Sequence, residues 1–301
     1  MNKLKKLKTR TLEWIQFFIF RVISFLINLF PFSLAMDMGR RGGRVLYYLL
    51  PRYQKVATEN LRSAFGGEKS KAQIKQIALE AFENLGLFAI EFLRIPKIIK
   101  RLDDYVSIRN QESVFKALQA GKGVILIVSH FGNWEWMGIA AGAQVREKGV
   151  SINALARPLG NPFMYRYIKE LRGATGLKTV GKRGGAREAV RLLEENQIVC
   201  ILIDQHERYG SVGVPYFGRE AKTTALPAML ALKKGVTVIP VFCYRRKGKS
   251  SLVELGEPFP LIQTDDYERD LVENTKQYIH TIEVEVRKRP GDWLWMHRRW
   301  R

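Results

Sequence analysis

The stretch Gly123-Val-Ile-Leu-Ile-Val-Ser-His130-Phe-Gly-Asn-Trp-Glu135 joins an unbroken aliphatic run to a turn and two proton-handling side chains. Val124 to Val128 does not alternate with polar residues, so it reads as a strand covered on both faces, as in a parallel sheet. His130 falls just past its end. Residues five apart on one helix lie about 140° apart around its axis, so His130 and Glu135 can face each other only if the chain bends between them. Gly132 permits the bend. Either Gly132 or Asn133 can cap a helix running through Met137, Ile139, Ala140 and Ala143, with Glu135 in its first turn.

The same alternation continues toward the C-terminus. A strand over 152–156 ends at Arg157, and Asn161-Pro162 is a good cap followed by proline, opening a helix to Leu171. A helix from about Ala186 to Glu195 precedes a strand over 198–203 that ends at Asp204; a helix over 224–234 leads to a strand over 236–242. Ser251 to Leu255 reads as an edge strand, and Tyr267 to Val286 as an amphipathic helix. The expected fold is α/β, with a mixed, mostly parallel central sheet flanked by helices. In such sheets, sites form outside the carboxyl ends of strands. His130, Arg157 and Asp204 each occupy that position on separate predicted strands, although polar residues also begin ordinary loops.

An imidazole titrates near neutrality and can take a proton from a hydroxyl, while a carboxylate on its other nitrogen fixes the tautomer and stabilises the imidazolium. His130 with Glu135 has the composition of such a pair. The plainer alternative makes Glu135 a favourable first-turn anion and His130 a strand-end residue. Ser129 lacks the glycine-flanked turn of a serine nucleophile. Backbone N–H groups near Gly132 and Asn133, at a helix start, are the expected donors to an oxyanion.

The formal charge of +21 over 301 residues implies an anionic partner: nucleic acid, an anionic membrane surface or an acidic substrate. Lys3, Lys5, Lys6, Lys8 and Arg10 precede an apolar segment from Trp14 to Phe30, and Arg40, Arg41 and Arg44 follow it. Basic clusters on both sides oppose a clean span, and Arg21 inside it would be expensive at bilayer depth. Glu13, Arg21, Ser24 and Asn28 fall on one stripe, so an interfacial anchor over residues 12–30 is expected, in place of a cleaved signal peptide or a buried core helix. From Ser70, which forms a capping box with Gln73, a helix carries Ile74, Ile77, Ala78, Ala81, Phe82, Leu85, Phe88 and Phe92 at core spacing; residues 45–96 are helical, with a break at Gly66-Gly67. Cys200 and Cys243 lie in apolar runs and read as buried thiols, and no Cys or His spacing suggests a metal site. The tail Pro290-Gly-Asp-Trp-Leu-Trp-Met-His-Arg-Arg-Trp-Arg301 suits a membrane interface or stacking on the domain.

Ser129-His-Phe-Gly-Asn-Trp-Glu135 resembles the His-x4-Glu block of the late acyltransferases of lipid A biosynthesis, the lauroyl and myristoyl transferases within the lysophospholipid acyltransferase superfamily. Thr58-Glu-Asn-Leu-Arg-Ser-Ala-Phe65, Arg157-Pro158, Asp204-Gln205, Val214-Pro-Tyr-Phe-Gly218 and Trp293-Leu-Trp-Met-His-Arg-Arg-Trp300 extend the resemblance along the chain. It implies a glycerolipid acyltransferase-like sheet and transfer of a fatty acyl chain from acyl carrier protein or coenzyme A to a hydroxyl of a membrane glycolipid, a lipid A precursor. It also implies His130 and Glu135 as catalytic residues and Gly132, Asn133, Trp134, Arg157, Asp204 and Gln205 at the substrate site, Asp204 holding Arg157 or the site loop, with no metal and no cofactor. The expected location is the cytoplasmic face of a bacterial inner membrane. The expected divisions are a membrane-anchoring segment over 1–38, a helical region over 39–100 and an α/β domain over 101–301. Relatives that acylate phosphatidylinositol mannosides share the chemistry, so the motif leaves the acceptor open. The reading from another class is a basic nucleic-acid-binding protein, which the absence of a recognised DNA or RNA module disfavours.

Overall fold

The computed structural model describes residues 3–146, 148–156, 159–181, 184–246, 248 and 251–300, with backbone alone for residues 3–8. Arg157 and Pro158 lie outside the described residues. The N-terminal third is helical: α1 (Lys3–Leu29), α2 (Phe32–Leu49), α3 (Pro51–Phe65), α4 (Lys71–Leu93) and the short α5 (Ile95–Ile98). There follow β1 (Val106–Arg109), α6 (Glu112–Leu118), β2 (Val124–Val128), α7 (Trp134–Arg146), β3 (Ile152–Ala156), α8 (Pro162–Gly173), β4 (Leu177–Gly181), α9 (Gly185–Glu194) and β5 (Ile198–Leu202). A hairpin of β6 (Ser211–Tyr216) and β7 (Arg219–Thr224) leads to α10 (Leu226–Lys234), β8 (Thr237–Arg245), β9 (Ser251–Leu255) and α11 (Tyr267–Lys288).

Among the described residues, seven strands form one sheet in the order β1-β9-β8-β2-β5-β3-β4. Its pairs are parallel except β8 with β9. The fold is thus the mixed, mostly parallel sheet with helices on both faces that the alternation predicts. All five residues of β2 are buried. Ile125 and Ile127 belong to the core shared with α4, α9 and α11, and Val124, Leu126 and Val128 to the core shared with α6 and α7, which is why the strand shows no alternation. One expectation is corrected: β9 is not an edge strand, because β1 pairs along its other side. The four-residue Val-Ser-Ile-Arg of β1 is too short and too mixed to stand out as a strand.

The capping box forms as the sequence predicts: Ser70 Oγ accepts from Gln73 N at 3.3 Å, and Gln73 Oε1 accepts from Ser70 N at 2.8 Å. The helix it opens, α4, meets α2 backbone to backbone, since a Cβ on Gly86 would lie 2.0 Å from the Gly39 carbonyl oxygen.

In α1 the usual amphipathic order is inverted. Its polar stripe faces the protein: Ser24 Oγ donates to Leu93 O at 2.7 Å, Asn28 Nδ2 to the same oxygen at 3.0 Å, and the Arg21 guanidinium lies 4.6 Å from the Tyr167 ring centre. Arg94, almost fully buried, donates to the carbonyls of Ile27 and Phe30 and so satisfies the end of the helix. The outward face carries Trp14, Ile15, Phe18, Ile19, Val22, Phe25 and Leu26 exposed. Residues Thr9–Leu29 are long and apolar enough to cross a membrane, and only 11% of that window is buried.

Candidate active site

The turn after β2 is built around Gly132. Its φ is +61°, and a Cβ there would stand 1.8 Å from the Cys243 carbonyl oxygen on β8, so only glycine brings the two backbones this close. Asn133 then caps α7, its Oδ1 accepting from Trp136 N at 2.9 Å. Its Nδ2 donates to Glu91 at 2.8 Å. Glu91 is buried and paired with Arg245, whose Nη2 reaches it at 2.6 Å, and a buried charge needs such a partner. The turn is therefore bolted to α4 and β8 by a network that periodicity does not reveal.

His130 projects from this turn with its imidazole partly exposed. Nδ1 lies 2.9 Å from Asp204 Oδ1, and the backbone N–H of His130 donates to Asp204 Oδ2 at 2.6 Å. Trp293 Nε1 donates to the same Oδ2 at 2.8 Å. Asp204 is completely buried. Burial pushes its carboxyl up, but the His130 imidazole and the hydrogen bonds from His130 and Trp293 prevail and hold it below the ordinary carboxylate value. The ionised carboxylate only accepts, so Nδ1 carries the proton and Nε2 presents a lone pair. Gln205 Nε2 lies 3.2 Å from that Nε2.

The carboxylate beside the imidazole is thus Asp204, and the expectation that Glu135 orients His130 is corrected. Glu135, in the first turn of α7, is held by Arg172 of α8, which donates through Nε at 3.0 Å and Nη2 at 2.5 Å; Arg172 Nη1 reaches Thr179 at 3.1 Å. The physical reason is that β2 and β5 are paired neighbours in register, Val128 beside Leu202, so residues just past their ends meet. The expected pairing of Asp204 with Arg157 falls outside the described residues.

The expected oxyanion donors also point elsewhere. Gly132 N donates to Asp292 O at 2.9 Å, and the Asn133 backbone N–H is turned to the Cys243 sulfur. Gly132 and Asn133 are buried scaffold for the turn, whereas Trp134 and Gln205 reach the cavity. Cys200 and Cys243 are free and buried, and burial pushes both thiols up to about 12.

The cavity beside His130 measures about 800 Å³, within the range of small-molecule sites. β3 pairs with β5 only as far as Ala154 and Cys200, then follows β4 to Ala156. Leu155, Ala156, Ile201 and Leu202, on either side of that parting, line the cavity together with His130, Glu135 and Arg172. Leu226, Met229 and Leu271 add apolar lining. Of the Gly210–Phe217 segment, Gly210, Ser211 and Val212 line it, while Tyr216 and Phe217 pack in the core. A second cleft of about 930 Å³ between α2, α4 and the end of α11 holds none of the predicted site residues.

Sequence reasoning missed the C-terminal tail as part of the site. Leu294 N donates to His130 O at 3.1 Å, and Asn60 of α3 donates to the carbonyls of Trp295 and His297. Trp293 and Trp295 are at most 1% exposed. The tail stacks on the domain and clamps the His130 turn; its tryptophan density was the signal, with two destinations open to it.

An imidazole whose Nε2 meets the Gln205 amide, a buried carboxylate on its Nδ1 and an apolar cavity at strand ends are together the parts a general-base site needs. The sequence profile described as "Bacterial lipid A biosynthesis acyltransferase" matches residues 1–301. The chain belongs to this family. Across the lipid A biosynthesis acyltransferase family and its neighbours, the chain is 24% identical over 295 residues to the lipid A biosynthesis palmitoleoyltransferase of Escherichia coli, covering 96% of this chain and 91% of that one. It is 26% identical over 216 residues to the phosphatidylinositol mannoside acyltransferase of Mycolicibacterium smegmatis, covering 70% and 67%. The Mycobacterium tuberculosis protein of that name is 24% identical over 230 residues, covering 73% and 69%. The protein is an acyltransferase of this group, and membership implies an acyl donor and a lipid acceptor.

Proposed function

We propose that the protein transfers a fatty acyl chain from an acyl-thioester, carried by acyl carrier protein or coenzyme A, to a hydroxyl of a lipid A precursor. The single observation that carries this reading is the Asp204–His130 pair opening onto the apolar cavity. The acyl chain occupies the cavity with its carbonyl near Nε2. The acceptor hydroxyl replaces the Gln205 amide on Nε2, gives up its proton there and attacks the carbonyl carbon. The C–S bond breaks, and the proton held on Nε2 goes to the departing thiolate. Asp204 holds the productive tautomer and faces the imidazolium as it forms. The displaced Gln205 amide then has a free donor for the carbonyl oxygen. Glu135 acts through Arg172: it fixes a guanidinium in the cavity wall, where it can meet an anionic part of donor or acceptor. Ser129 is buried and outside the cavity lining, so direct transfer needs no acyl-enzyme.

The outward apolar face of α1, with the high positive charge, supports attachment to an anionic bilayer, taken here as the cytoplasmic face of the inner membrane. The near full-length likeness to the Escherichia coli enzyme favours a lipid A precursor, and the likeness to the mycobacterial enzymes favours phosphatidylinositol mannoside as the second reading. Mass spectrometry of both acceptors after incubation with a series of acyl-thioesters tests this. An added acyl chain on the lipid A precursor, lost in His130→Ala, is expected. Thioester cleavage with no acylated lipid would replace a transferase with a hydrolase.

A further inference from the structure

A line of aromatic rings leaves the His130 imidazole, crosses α1 at Phe20 and ends on Tyr167 of α8. His130 meets Trp134 edge-on at 4.9 Å between ring centres, and Trp134 stacks on Phe88 of α4 at 4.1 Å. Phe88 lies 6.2 Å from Phe92, Phe92 lies 6.4 Å from Phe20 of α1, and Phe20 lies 5.9 Å from Tyr167 of α8. Trp134, Phe88, Phe92, Phe20 and Tyr167 are all half-buried. They form a strip at the surface, not a core. At one end Trp134 belongs to the cavity wall. At the other, α1 turns its apolar side outward, so the strip is continuous with the surface that would lie in lipid.

Resting on the acyltransferase reading, we propose that this strip is the path of the acceptor: its apolar tails remain on the rings while its headgroup hydroxyl reaches His130 Nε2. A two-tailed amphiphile that left the bilayer entirely would expose its chains to water, and a half-exposed aromatic track continuous with the membrane face replaces that exposure. The occupant is a bilayer lipid, not a soluble apolar molecule, for a reason at the outer end. Arg21 stands over Tyr167, exposed, and among the described residues no carboxylate pairs with it. A cation beside an apolar track fits the phosphate of an anionic lipid lying with its tails along it. The cavity past His130 is left to the acyl chain of the donor, so the two apolar chains approach the imidazole from different sides.

The test compares two acceptors bearing the same hydroxyl, one a two-tailed glycolipid embedded in phosphatidylglycerol–phosphatidylethanolamine vesicles, the other a water-soluble glycoside without long tails. In the full-length enzyme, Phe88→Gln and Phe92→Gln are expected to lower the ratio of vesicle to soluble activity about tenfold or more, the factor that loss of one ring's apolar contact predicts. Equal losses on both acceptors, or none on either, would overturn the path. A second measurement does not depend on turnover: vesicles containing a phospholipid with a photoreactive tail are irradiated with His130→Ala protein. Crosslinks on the peptide carrying Phe88 and Phe92 as well as on α1 are expected. Crosslinks confined to α1 overturn the strip even if lipid A precursor proves to be the acceptor, and crosslinks on the strip support it even if the proposed His130 chemistry fails.

Discussion

Replacing Asp204 by Asn separates the role of Asp204 from that of Glu135. The carboxylate accepts three hydrogen bonds: Oδ1 from His130 Nδ1, and Oδ2 from His130 N and Trp293 Nε1. An amide has one oxygen and one NH2 group. If the NH2 faced the backbone N–H and the indole, two buried donors would lose their acceptor, at about 1–3 kcal/mol each. The oxygen therefore stays with those two donors and the NH2 turns to Nδ1. Nδ1 must then accept, which moves the proton to Nε2 and removes the base from the position that faces the hydroxyl. The expected loss in kcat is about 10² to 10⁴, equal to roughly 3 to 5.5 kcal/mol in barrier. The assay is transfer from an acyl-thioester to a lipid acceptor, run beside thermal unfolding to show that the fold is kept. Glu135→Gln leaves the imidazole tautomer untouched and acts only through Arg172. Its loss should match that of Arg172→Gln and not deepen in the double variant, whereas the loss from Asp204→Asn should add to either. Turnover of Asp204→Asn within about threefold of wild type, far short of a base term, would refute the tautomer reasoning.

Gly132→Ala should unfold at lower urea concentration than Gly121→Ala. Both glycines have positive φ, but a Cβ at 132 meets the Cys243 backbone oxygen at 1.8 Å while one at 121 meets open space; strain alone costs about 1–3 kcal/mol, and the clash adds to it. Equal midpoints would show that the turn relaxes freely. The folded-state pKa of Asp204 lies below its unfolded value. Its contribution to stability is therefore present above the ordinary aspartate pKa of about 3.9 and is lost as pH falls through the lower folded value. The difference in unfolding free energy between wild type and Asp204→Asn should accordingly shrink as pH falls below about 4; a difference that grows there would reverse the assigned direction.

Much of the architecture is legible in local patterns. The unbroken aliphatic run at Val124–Val128, the cap and proline at Asn161-Pro162, and the Ser70–Gln73 box each specify an element through interactions a few residues long. Strand ends as the place for a site follow from the same alternation, which is how His130 and Asp204 emerge together. The edge strand β1 escapes this reading because it has four residues and its partner β9 lies far along the chain, and the β6–β7 hairpin because Pro215 and the polar run Arg219–Thr224 mask its alternation.

Local sequence determined that an imidazole stands at the end of a buried strand, that an aspartate ends another, and that a helix with a polar stripe precedes them. It placed Glu135 near His130 because they are near in the chain. Tertiary structure decided which carboxylate touches the imidazole: parallel pairing of β2 with β5 brings residues 74 positions apart to 2.9 Å, while α8 draws Glu135 to Arg172. It also decided that the tryptophan-rich tail closes over Asp204 and that the apolar side of α1 faces outward. Periodicity fixes which residues share a face of their own element, but hydrogen-bond partners and the side that meets lipid depend on which elements pack together, and only the assembled sheet specifies that.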